Sequence, residues 1–80
     1  MRALGEEIRR QRIKLALGPS EFARVAGIHR NYLHSVEAGE RNVSVTNLKR
    51  IADALDTDLV SLLEAAFGDI GRKSGGDGQP

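Results

Sequence analysis

Two short amphipathic segments meet at Gly27, and that junction limits what the chain can fold into more than any other feature. Pro19, directly after Gly18, suits the first turn of a helix, where a missing N–H costs nothing. Phe22, Val25 and Ala26 follow at helical spacing and are expected to form the inner face of that helix. Gly27 permits the left-handed backbone a sharp helix end needs, and Ile28 is placed to plug the corner. A second helix is expected from about Arg30 to Ala38, with Leu33 and Val36 inward, His29 at its N-cap and Gly39 closing it. Ala23 falls where the two helices cross, a place where a larger side chain would push them apart.

The flanking segments share this helical period. Leu4, Ile8 and Leu15 mark one face of a first helix, with Arg12 where an apolar residue would otherwise fall, and Gly18 is expected to stop it. Glu6 and Glu7 come early and Arg9, Arg10, Arg12 and Lys14 late, an order that complements the helix dipole. After the polar loop GERN, Ser44 reads as the N-cap of a helix carrying Val45, Leu48, Ile51, Ala52 and Leu55. Asp58 does the same for a last helix with Leu59, Leu62, Leu63, Ala66 and Phe67. No β-type alternation occurs. The expectation is an all-α, compact five-helix domain over residues 1–67, followed by a flexible, glycine-rich polar tail over 68–80.

A chain of 80 residues buries a thin core, roughly 60% of its unfolded surface, and without cysteine it has neither disulfides nor thiolate zinc ligands to help. Oligomerisation is the remaining support, so a homodimer is expected, with Leu62, Ala66 and Phe67 as its contact. The absence of cysteine, of an apolar signal core and of a membrane-length apolar run fits a cytoplasmic protein. Charge is divided unevenly along the chain: ten Lys and Arg against five Asp and Glu precede residue 51, and two against six follow it. A basic first half attracts phosphates, and an acidic second half faces away from them.

The segment PSEFARVAGIHRNYLHSVEAG, from Pro19 to Gly39, therefore has the form of a helix-turn-helix. Its second helix leaves Arg30, Asn31, His34 and Ser35 outward, a set able to hydrogen-bond base edges in a major groove. The chain from Leu4 to Leu63 resembles the phage Cro and repressor family of Xre-like helix-turn-helix proteins. That resemblance rests on LGEEIRRQRIKLAL, EFARVAGI, YLHSVEAGERN and LKRIADAL, and HRNYLHSVEAGERNVSVTNL is further similar to restriction–modification controller proteins.

The resemblance implies sequence-specific binding of double-stranded DNA and transcriptional regulation. Arg30 and Asn31 match positions that read bases, with His34 and Ser35 one turn on. Tyr32 matches a backbone-touching position, and Arg41 and Asn42 match a phosphate-binding loop. Arg12 and Glu37 match an internal ion pair between the first and third helices. One departure stands out: Gly18-Pro19 replaces the family's Ser-Gln or Asn-Gln, so a phosphate-binding glutamine is missing, with Ser20 or Arg24 as candidate substitutes.

Other functions fit less well. An antitoxin or adaptor that holds a protein partner is the alternative, but the tail lacks the apolar anchors such a role needs. The chain has no cysteine nucleophile, Gly-rich phosphate loop or clustered His/carboxylate set, so an enzyme is not expected. His29 and His34 offer no metal-ligand set, and no cofactor or small-molecule ligand is implied.

Overall fold

The computed structural model describes residues 2–68. Met1 and residues 69–80, all but the first residue of the polar tail expected over 68–80, lie outside the described residues. Five helices follow in order: α1 (Arg2–Lys14), α2 (Pro19–Ala26), α3 (Arg30–Glu37), α4 (Val45–Ala54) and α5 (Leu59–Phe67). α1 packs on both α5 and α3, while α2 packs on α3 and α4, and α4 and α5 close the ring. Phe22, Leu4, Ile8, Leu33, Ile51, Leu62 and Val36 fill the centre and are wholly withdrawn from solvent. Burial of each such side chain stabilises the fold by about 1.5–3 kcal/mol.

Two local devices set the helix ends. Ser44 accepts from the Asn47 N–H at 3.1 Å and Asp58 from the Ser61 N–H at 2.8 Å, so α4 and α5 start where their caps are. At their C-termini, the first four helices share one arrangement, in which a residue with positive φ lets two nested backbone bonds satisfy the last carbonyls. At the corner after α2, Gly27 (φ 75°) lets Ile28 N–H reach the Ala23 carbonyl at 2.9 Å and its own N–H reach Arg24 at 3.2 Å. Gly39 closes α3 in this way, Asp56 (φ 61°) closes α4 and Ala16 (φ 61°) closes α1.

That last closure corrects the sequence reading. α1 stops at Lys14, and its left-handed residue is Ala16, not Gly18, whose extended backbone (φ −73°, ψ 164°) caps the start of α2. The reversal turns Leu17 inward and leaves Leu15 exposed. Val25, at 54% exposure, and Val45, at 71%, also lie outside; Ala23 rather than Val25 completes the buried face of α2. The early glutamates of α1 lie beyond its first turn. Their visible work is local pairing instead, Glu6 with Arg2 at 3.0 Å and Glu7 with Arg10, whose hydrogen bond holds the Glu7 carboxyl below its usual range.

Close approach of α1 to α3 depends on Gly5. A Cβ there would strike the Val36 carbonyl oxygen and lie 2.7 Å from that of Glu37, and neither backbone atom can move aside cheaply. The absence of a side chain thus sets the distance between α1 and the C-terminal end of α3. Just beyond, Arg12 joins the same two helices electrostatically. Its guanidinium donates to both Glu37 oxygens, at 2.7 and 3.1 Å, and to the Leu17 carbonyl at 2.8 Å. Both side chains are nearly enclosed. Hydrogen bonding to Glu37 raises the Arg12 pKa against the opposing effect of burial, which keeps the cation charged. An arginine on the apolar stripe of α1 is therefore a cross-link between α1, the α1–α2 loop and α3.

Candidate nucleic-acid interface

Leu33 and Val36 anchor α3 to the core, and because a helix turns every 3.6 residues the intervening positions face away. Arg30, Asn31 and His34 are exposed in one row along α3. Ser35 is less available than its position suggests. It is half-buried, and its hydroxyl donates to the Asn31 carbonyl at 3.2 Å, a bond within the helix. His29 takes the N-cap with an extended backbone (φ −74°, ψ 145°) and makes no side-chain cap bond.

One flank of α3 is held by side chains from three elements. The Tyr32 hydroxyl accepts from Asn47 Nδ2 of α4 at 3.2 Å, and Arg41 of the α3–α4 loop stacks on the Tyr32 ring, 5.3 Å from its centroid. Such a cation–π contact orients a guanidinium without neutralising it. Gly27, Ile28, His29, Tyr32, Asn47 and Arg50 line a crease of about 240 Å³ beside this group. Asn42 is exposed in the same loop. Asn47 and Arg50 escaped the sequence reading. Their spacing marks only an exposed face of α4, and its packing against α2 is what brings them beside the corner.

The other flank is built by α1 and the start of α2. Arg9, Arg12, Pro19, Arg30, Asn31, Leu33, His34 and Glu37 enclose a crease of about 310 Å³. Ser20 and Arg24 are exposed on α2, but neither lines it; Arg24 instead lies 3.9 Å from Glu21.

The distribution of ion pairs separates this face from the rest of the surface. Ten Lys and Arg side chains belong to the described residues, and Arg2, Arg10, Arg12, Arg24 and Lys49 each have a carboxylate partner among them. Arg9, Lys14, Arg30, Arg41 and Arg50 have none there. Of these five, all but Lys14 line or adjoin the two creases beside α3. Among the described residues no helix is long and apolar enough to cross a membrane.

An all-helical domain with this corner and this exposed helix defines a helix-turn-helix DNA-binding transcriptional regulator. The helix-turn-helix family model matches residues 8–62, and the chain belongs to that family. It is similar to the control protein C.SmaI of Serratia marcescens, with 40% identity over 60 residues, 75% of this chain and 71% of that protein. The crystal structure of the restriction-modification controller protein C.AhdI from Aeromonas hydrophila is similar at a TM-score of 0.73 and 35% identity, covering 75% of this chain and 91% of that one. The clp gene regulator ClgR from Corynebacterium glutamicum is similar over 91% of this chain and 78% of its own, with a TM-score of 0.78 and 26% identity.

Leu62, expected at a dimer contact, is fully buried within its own protomer. The exposed apolar surface of α5 runs instead along Val60, half-buried Leu63 and Phe67, which share one face at helical spacing, with half-buried Ala66 beside them.

Proposed function

We propose that the protein is a cytoplasmic, sequence-specific regulator that binds a roughly palindromic DNA operator as a homodimer, with α3 of each protomer in a major groove. The observation that carries this reading is the clustering of uncompensated arginines on both flanks of α3. Unpaired surface cations cost little one by one, but concentrating them in one place creates a field that favours a polyanion. Arg30 and Asn31 read base edges, arginine through bidentate bonds to guanine. His34 contacts the duplex one turn on, while Ser35, whose hydroxyl is engaged within the helix, contributes less. Tyr32, Arg41 and Asn42 grip the phosphates of one strand, with Asn47 holding Tyr32 in place.

The similarity to C.SmaI and C.AhdI supports a control protein of a restriction–modification system as the particular role. Dimerisation through α5, by Ala66 and Phe67 with Val60 and Leu63, would set two copies of α3 about one helical turn of DNA apart, roughly 34 Å.

Selection of bound duplexes from random-sequence DNA with the purified protein, followed by mass measurement on the selected site, tests the reading. An enriched sequence with two related half-sites and a mass of two protomers is the expected result. Failure to enrich any sequence would remove it.

A further inference from the structure

Pro19 opens α2 beside α3 with neither an N–H nor a polar side chain to offer an anion. Ser20 and Arg24 do not line the crease at that position. Arg9 does, and it recurs in the adjoining crease with His34, Glu37 and Ala38. We propose that Arg9, on α1, is a DNA-backbone contact that seats a phosphodiester in the crease between α1 and the start of α3. The assignment rests on the DNA-binding reading above.

Three observations carry it. Both glutamates of α1 are occupied, Glu6 by Arg2 and Glu7 by Arg10, and among the described residues Arg9 is the exposed arginine of that helix without a carboxylate partner. At the floor of the crease, Arg12 and Glu37 cancel one another through their bidentate pair. The field there is therefore set by Arg9 and Arg30, two like charges without a carboxylate partner among the described residues, which line one crease and repel unless an anion lies between or beside them. A planar guanidinium matches phosphate geometry with two parallel donors, which suits it to that anion. In consequence α1, otherwise the structural backing of α3, becomes part of the interface.

The test compares the full chain with Arg9→Ala, Arg9→Lys and Lys14→Ala, using a duplex recovered by selection with the wild-type protein and an unrelated duplex. Loss of one phosphate contact weakens binding by roughly eightfold at about 0.1 M salt and reduces the log–log salt slope by about 0.9. Arg9→Ala is expected to show that loss equally on both duplexes, with Arg9→Lys restoring the salt slope but only part of the affinity and Lys14→Ala matching wild type. Thermal unfolding of Arg9→Ala should coincide with wild type, since the side chain is exposed and without a carboxylate partner among the described residues. Wild-type-like binding by Arg9→Ala overturns the assignment alone, as does a loss confined to the selected duplex. No DNA binding by the wild type would overturn both this assignment and the reading beneath it.

Discussion

Arg12 and Glu37 are joined by two hydrogen bonds across 25 residues of chain, Nε to Oε2 at 2.7 Å and Nη2 to Oε1 at 3.1 Å. The nearly enclosed pair lines the same crease beside α3 as the exposed Arg30 and His34. It therefore positions the exposed helix without adding net charge to its surroundings.

Removing one member strands the other away from water. Glu37→Ala is expected to lower unfolding stability by about 3–5 kcal/mol. The apolar pair Arg12→Met with Glu37→Leu should recover most of that, less the donor lost to the Leu17 carbonyl. Urea denaturation of Arg12→Met, Glu37→Leu and their double gives the coupling; an unchanged midpoint for Glu37→Ala would sink the cross-link.

Two glycine–alanine exchanges on or beside α1 should act in opposite directions. Gly5→Ala drives a methyl into the Val36 and Glu37 carbonyls and is expected to cost about 1–3 kcal/mol. Ala16→Gly relieves a left-handed alanine and should stabilise by about 1 kcal/mol, a rise of about 4–8 °C in Tm. Differential scanning calorimetry distinguishes them: a rise in Tm for Gly5→Ala would contradict the close approach, and a fall for Ala16→Gly would contradict the left-handed alanine.

Arg30 and Arg41 should fail differently. Arg30→Ala is expected to lose about 1–3 kcal/mol on the selected duplex and much less on others, relaxing the preference at one base pair. Arg41→Ala removes the guanidinium stacked on Tyr32 and should weaken all duplexes alike. Parallel anisotropy titrations on selected and scrambled DNA decide it; a uniform loss from Arg30→Ala counts against base reading.

Phe67 is 47% exposed at the end of α5, so charging it leaves the core intact. Phe67→Glu should raise the dimer dissociation constant at least about tenfold, or 1.4 kcal/mol, with an unchanged melting curve. Sedimentation across concentration reads this directly, and an undisturbed dimer would move the interface elsewhere.

Acid should loosen α5 first at its start. The hydrogen bond from the Ser61 N–H, and then that from its hydroxyl, hold the Asp58 carboxyl below the usual 3.8. Its contribution is therefore complete above that unfolded value and is lost as pH falls from there through the lower folded one. Asp58→Asn keeps the acceptor but does not titrate, so its acid unfolding should be shallower over that range by circular dichroism.

What was legible in the sequence was what depends on neighbours along the chain. Gly27, Ser44 and Asp58 act on backbone groups within five residues of themselves, and helical spacing alone indicated that Leu33 and Val36 turn inward while Arg30, Asn31 and His34 turn out. Tertiary packing decided the rest, because contacts between helices have no local signature. Val25 and Val45 are as apolar as their buried neighbours, yet no helix among the described residues covers them. Ala16 and Asp56 adopt left-handed backbones that their residue types do not advertise, as the chain must reverse there to return to the core. Gly5 in mid-helix reads as a defect until α3 lies against it. Arg9 reads as one more solvated charge until the fold sets it beside Arg30, with every carboxylate of α1 already taken.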